Sequence, residues 1–314
     1  DGLLWFTGAG GYIGRLDPVS GKLDRFPAPR GAGPYGVTVT PSNEVWFVSL
    51  EQSYLGKVDR ATGNVTVVEP PTLGAGTRRV WSDSTGRLWV GTLDGGLNRY
   101  DPSTGSFTYY HPVTDDPSSL SDISITSITE DATGNLWFGT KNGLNRFNPS
   151  TGQFLRFARD KEDPRTISSD AINIVKVDAS GNLWVGTSNG LDRLEKDRSR
   201  FVHYRYNPVF QRSLSNNYII SIYEDRGGVL WFGTYGGGVN RYDRALDKFS
   251  YYRHDPTDPQ TLSGNFIFPI HVDSKGFAWV GTQGDGLNRF LWRTGEIARI
   301  NSFDLGNECL DRDQ

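Results

Sequence analysis

Short apolar runs separated by turn-forming residues occupy the whole chain, and seven of them share a core of an apolar residue, a tryptophan and a second apolar residue. They are Leu4-Trp5-Phe6, Val45-Trp46-Phe47, Leu88-Trp89-Val90, Leu136-Trp137-Phe138, Leu183-Trp184-Val185, Leu230-Trp231-Phe232 and Ala278-Trp279-Val280. Successive tryptophans stand 41, 43, 48, 47, 47 and 48 residues apart, close to the period of a propeller blade built from four short strands. In the fourth copy the expected strands are 124–131, 136–140, 144–147 and 153–157. β-Branched and aromatic residues fill such runs, while Gly, Asn, Asp and Pro fill the turns. No stretch of ten or more residues carries a helical period. The pattern predicts an all-β chain: one seven-bladed β-propeller of four-stranded blades over residues 1–314.

Other positions repeat with the tryptophan. A glycine follows it by two residues in blades three to seven (Gly91, Gly139, Gly186, Gly233, Gly281), where close strand packing is expected. Another precedes it by three (Gly86, Gly134, Gly181, Gly228, Gly276), as a left-handed turn requires. A basic residue recurs in each third strand (Arg15, Lys57, Arg99, Arg146, Arg193, Arg241, Arg289), and recurrence in every blade assigns it to the scaffold. An Asp lies six residues before the tryptophan in blades three to seven, and Val or Ile nine before it in blades two to seven. The first copy has no strand ahead of Trp5. Writing residues 308–314 in front of Asp1 places Asp313 six and Leu310 nine residues before that tryptophan. The C-terminal strand, with Cys309 in it, is therefore expected to complete blade one and close the ring; the alternative is that residues 301–314 are a frayed tail and the first blade has three strands.

Composition narrows the function. A net charge of −3 with 22% charged residues is neither that of a nucleic-acid binder nor that of an acidic tail. The single Cys excludes a disulfide framework and a cysteine zinc cluster. Apolar runs are too short for a membrane-inserting helix. The chain lacks Met, so a removed leader or a longer parent chain is expected.

Two families are resembled. Ile125-Thr126-Ser127-Ile128-Thr129-Glu130-Asp131, the Gly-Asn-Leu-Trp-Phe-Gly-Thr of 134–140 and Asn142-Gly143-Leu144-Asn145-Arg146-Phe147 resemble two-component regulator propeller repeats, and the likeness extends over blades three to seven. It implies a periplasmic sensor domain of a bacterial two-component system. Leu4-Trp5-Phe6-Thr7, Ile13-Gly14-Arg15-Leu16-Asp17-Pro18 and Gly33-Pro34-Tyr35-Gly36-Val37 in blades one and two resemble virginiamycin B lyase (streptogramin lyase). That resemblance implies a lyase using a histidine, acidic residues and magnesium; Tyr35 stands where that family has His. Both imply a periplasmic or extracellular location.

Chemistry is expected where the repeat varies. Eleven residues before the tryptophan stand Tyr35, Arg78, Thr126, Asn173, Ile220 and Phe268; eight before it stand Thr38, Trp81, Thr129, Lys176, Tyr223 and His271. First strands line a propeller's channel, so Tyr35, Arg78, Trp81, Asn173, Lys176, Tyr223, Phe268 and His271 are the candidate ligand residues. Aromatic faces mixed with Arg, Lys, Asn and His suit a neutral or acidic saccharide-like ligand. The alternative is a water-filled channel with an unconstrained lining. The long inter-blade loops 111–123, 159–170, 206–217 and 254–265 mark one face as the binding face, for a small ligand or a partner protein. No catalytic motif or phosphate loop occurs in its required setting, and no cofactor is expected. The lyase alternative would pair His271 with Glu308 or Asp311 and use magnesium. A third reading is a docking subunit of an extracytoplasmic assembly.

Overall fold

Residues 2–17, 19–72, 74–196, 200–273 and 275–300 are described by a computed structural model of the chain. Among them are 27 strands and no helix, arranged as seven antiparallel sheets whose strands pair in chain order. Six sheets have four strands; the first has three, Leu4–Gly8, Tyr12–Leu16 and Leu23–Pro27. The fold is a seven-bladed β-propeller. Blade four runs Ile125–Glu130, Leu136–Thr140, Gly143–Asn148 and Gln153–Phe157, within one residue of expectation at each end. The closing strand expected from Glu308, Cys309, Leu310, Asp311 and Asp313 lies outside the described residues. The chain divides into two compact units, Asp1–Phe157 with blades one to four and Ala158–Gln314 with blades five to seven.

Each motif tryptophan ties its own blade together. Trp46, Trp89, Trp137, Trp184 and Trp231 are all buried. The indole N–H donates to the Asp six residues earlier: Trp89 to Asp83 at 2.8 Å, Trp137 to Asp131 at 2.9 Å, Trp184 to Asp178 at 2.8 Å, Trp231 to Asp225 at 3.2 Å and Trp279 to Asp273 at 2.9 Å. The other carboxylate oxygen caps the turn, as Asp178 does for the Ser180 and Asn182 amides at 2.9 Å each. Gly181, with φ of 78°, supplies the left-handed residue that lets both amides reach one oxygen. In blade two Glu44 takes the Trp46 indole at 3.2 Å.

The recurring basic residue is also structural. It lies directly across the ladder from the tryptophan, as in Trp184↔Arg193. In blades one to five its charge sits 5.5–5.9 Å from the indole centroid, a cation–π distance. In blades six and seven Arg241 lies 4.1 Å from the Trp292 ring and Arg289 4.1 Å from the Phe277 ring. Trp292, which stands outside the repeat, thus has its place in the packing, edge-on to Trp231.

The long inter-blade loops are anchored by a plug of their own. Leu120, Ile167, Leu214 and Leu262 are buried, and the following serine amide donates to a buried side chain of the third strand: Ser121 to Asn145, Ser168 to Asp192, Ser215 to Asn240 and Ser263 to Asn288, at 2.7–2.9 Å. In blades four and seven an arginine across the ladder, Arg156 or Arg299, holds the loop carbonyls. Blade five instead has His203, with Nδ1 2.7 Å from Asp192 Oδ1 and Nε2 2.8 Å from the Pro164 carbonyl. Both partners are acceptors, so the protonated imidazole satisfies both at once. The Asp192 bond raises its pKa, burial opposes this, and the Pro164 carbonyl raises it again. A raised folded pKa stabilises the fold below the ordinary value of about 6.5 and loses that stabilisation as pH rises through the raised value. Loop 159–170 is therefore expected to become more protease-sensitive as pH rises above the ordinary histidine value of about 6.5. The double variant Asp192→Asn/His203→Arg, which copies blades four and seven, should abolish that dependence, and limited proteolysis across pH checks it.

Candidate functional site

The first strand of every four-stranded blade carries a β-bulge where the ladder gains one extra residue. The shifts fall at Pro34/Val37, Thr77/Arg79, Ile125/Ser127, Ile172/Ile174, Ile219/Ser221 and Ile267/Ile270. The residue eleven before the tryptophan lies inside this bulge, and a bulge re-aims side chains. The residue eight before it pairs directly with the motif tryptophan, as Trp81↔Trp89, Tyr223↔Trp231 and His271↔Trp279. Directly paired residues share one sheet face. Trp81 and Tyr223 accordingly pack, half-buried, against the cores that hold Trp89 and Trp231.

In the first unit, the first strand of blade three (Thr77–Ser82) pairs with its own blade and packs between those of blades two (Pro34–Val39) and four. Tyr35 is 42% exposed. Beside it lies Arg79, a residue outside the candidate set, with its guanidinium carbon 5.9 Å from the Tyr35 ring centroid and Nε donating to the Thr126 carbonyl at 2.7 Å. Arg79 thus reaches from blade two to blade four. Arg78 is half-buried. Trp81 Nε1 and Thr126 Oγ1 are buried without a hydrogen-bond partner among the described residues. Thr126 and Thr129 are both buried rather than exposed.

In the second unit, Asn173 uses its amide to bind the Ile219 carbonyl of the next blade at 2.9 Å, which makes it a stitch between blades. Lys176 is half-buried. The Tyr223 hydroxyl donates to the Val272 carbonyl at 3.4 Å, and its ring meets His271 edge-on at 5.4 Å. His271 is exposed, as is Phe268.

The same unit carries an aromatic row that the candidate set missed. Tyr218, Tyr235 and Phe266 are 40%, 45% and 38% exposed, with Tyr218–Tyr235 centroids 5.5 Å apart and Tyr235–Phe266 centroids 4.5 Å apart. Tyr218 and Phe266 end inter-blade loops, and Tyr235 opens the turn between the second and third strands of blade six. Their backbone is fixed: the Tyr235 amide donates to the Tyr218 carbonyl at 2.9 Å, Gly236 to Asn265 at 3.1 Å, and Tyr235 bridges Phe266. Tyr218 and Phe266 stand thirteen residues before their tryptophans, where blades three to five have Gly76, Ser124 and Ala171. That deviation from the repeat is the signal that marks them.

A magnesium site needs several oxygen ligands in one place. Among the described residues no three His, Cys, Asp or Glu side chains gather as a metal ion requires, and Glu308 and Asp311 lie outside those residues. The described donor set does not fit the ion.

Residues 31–300 match the family profile described as SMP-30/Gluconolactonase/LRE-like region. No curated protein matches the chain significantly. Among solved structures, virginiamycin B lyase from Staphylococcus aureus aligns with a TM-score of 0.64 at 17% identity, over 85% of this chain and 84% of that one. The extracellular domain of a putative hybrid two-component system from B. thetaiotaomicron aligns at 0.59 and 21%, over 82% of this chain and 40% of that one. A second such domain from the same organism aligns at 0.50 and 21%, over 97% of this chain and 54% of that one. The chain spans about half the length of these two sensor domains or less. At such identities the likeness is one of fold.

Proposed function

We propose that this chain, which belongs to the SMP-30/Gluconolactonase/LRE-like family, acts by recognition, binding a saccharide-like ligand through the face that carries its inter-blade loops. The row Tyr218, Tyr235 and Phe266 carries this reading. Exposed aromatic faces fixed by main-chain hydrogen bonds lose little entropy on binding and match the apolar face of a sugar ring. Phe268 and His271, both exposed on the first strand of blade seven, extend the polar and aromatic choice nearby. In this proposal residues 1–314 act as one sensor-like propeller outside the cytoplasm. The extracellular domains of similar fold support that location.

Tyr235→Ala is expected to weaken binding of a glycan selected from an array at least tenfold while leaving the thermal midpoint within about 2 °C, since the ring is 45% exposed. Unchanged affinity in this variant, measured calorimetrically, would remove the row from recognition. A wild-type chain that binds no glycan but holds a partner protein would turn the reading to the docking alternative.

A further inference from the structure

The first unit holds two adjacent arginines whose charges the fold does not neutralise. Arg15 is paired with Asp24, Arg30 with Glu69 and Arg87 with Asp101, but neither Arg78 nor Arg79 has an acidic partner among the described residues. Arg79 commits Nε to the Thr126 carbonyl, and its two Nη amines have no hydrogen-bond acceptor among the described residues. A guanidinium does not lose its proton in a protein, so two of them side by side on a half-buried strand carry repulsion and desolvation that an anion would offset. Burial, and then the neighbouring Arg78 charge, lower the Arg79 pKa, in keeping with an uncompensated pair.

We propose that Arg78 and Arg79 form a carboxylate site for an acidic saccharide, with the exposed Tyr35 ring as the stacking face for its sugar. The paired Nη amines present the planar fork that a carboxylate accepts in two parallel hydrogen bonds. The fold holds this fork in place. Nε is tied to blade four, the ring of Tyr35 in blade two lies beside the guanidinium, and the bulge at Arg78 sets both side chains off the regular alternation. Trp81 Nε1 and Thr126 Oγ1, buried and without a hydrogen-bond partner among the described residues, stand on the same and the adjoining strand, respectively. This site is separate from the aromatic row of the second unit. It rests on the recognition reading only for the class of ligand, a saccharide.

The test compares trigalacturonate with its methyl ester by titration calorimetry at fixed ionic strength. The acid is expected to bind wild-type protein at least tenfold more tightly than the ester. Arg79→Gln and Arg78→Gln should each erase that preference, lowering the acid's affinity at least tenfold more than the ester's. If Arg79→Gln fails to fold, Arg78→Gln carries the test alone, because the Arg78 side chain makes no hydrogen bond or ion pair among the described residues. Equal binding of acid and ester, or a preference that survives both variants, overturns the carboxylate site and leaves saccharide recognition standing. Failure of both probes to bind overturns the site as well, and a glycan that then depends on Tyr235 but not on Arg78 or Arg79 shows that recognition survives without it.

Discussion

Asp178→Ala is expected to lower the thermal midpoint by roughly 10 °C, because removing one member of a buried charged network costs about 3–5 kcal/mol and a unit of this size loses about 2–4 °C per kcal/mol. The carboxylate is buried and accepts from the Trp184 indole, the Ser180 and Asn182 amides, the Asn182 side chain and Arg244. Arg244 also binds Glu224 at 3.0 Å, and Glu224 accepts the Ala179 amide at 2.7 Å, so the network joins blade five to blade six. Alanine would leave a buried indole N–H, two turn amides and the Nη1 amine of Arg244 without their acceptor at once. The same carboxylates set the acid limit of the fold. Burial alone would raise the Asp178 pKa, but the bonds from Asn182, Trp184 and Arg244 prevail and lower it. At Asp131 burial is likewise outweighed, by Thr133 and Trp137, and the pKa falls to about 2. A depressed folded pKa gives stability that is complete above the ordinary value of about 3.9 and is lost as pH falls through the folded one. Denaturant titrations between pH 5 and 2 should show the loss in wild-type protein and a shallower one in Asp178→Ala. A midpoint within 3 °C of wild type at neutral pH would show that the Trp–Asp turn is dispensable.

The blade pattern was legible because it is local. A tryptophan strand, a turn with glycine and a basic third strand recur within one blade, and each has a partner within a few residues or directly across one ladder. The site was less legible because its geometry depends on register. Both the residues eight and those eleven before the tryptophan are expected to line the channel, yet residues three apart face opposite ways under strict alternation, and the bulge disturbs that alternation as well. Trp81 and Tyr223 lie opposite motif tryptophans and pack against cores, whereas Tyr35 and Phe268 are exposed. Arg79 is not legible as a site residue because it stands ten residues before its tryptophan, at a position that only the bulge brings into play. Tyr235 is not legible either, because it occupies a turn, where side chains are expected to be solvated and unremarkable. The Asp192–His203 pair is visible in the sequence as a departure from Asn145–Arg156 and Asn288–Arg299, but only the ladder shows that the two residues face each other.

Gly233→Val is expected to cost about 3 kcal/mol or more, the upper range of overpacking in a close-packed interior. A Cβ at Gly233 would lie 2.4 Å from Ser221 Oγ, 2.9 Å from Ile267 Cγ2 and 2.9 Å from the Ile267 carbonyl oxygen. The last is backbone of the next blade and cannot step aside as a side chain can. The same crowding recurs at Gly186, whose Cβ would lie 2.5 Å from Ile174 and 2.8 Å from Ile219. Blade two resolves it the other way round. Its corresponding residue is the buried Val48, and the residue facing it is Gly36, whose added Cβ would stand 3.2 Å from Val48 Cγ2. Ser221 is the counterpart of Gly36, ten residues before its tryptophan. Ser221→Gly should therefore recover part of the loss in a Gly233→Val background while destabilising wild-type protein, where it only opens space. Recovery stays incomplete because Ile267 is larger than Thr77, its counterpart beside Val48. Chemical denaturation of the four proteins of this cycle measures the coupling. Additive losses would show that the glycine after the tryptophan strand answers to the next blade alone and not to its own first strand.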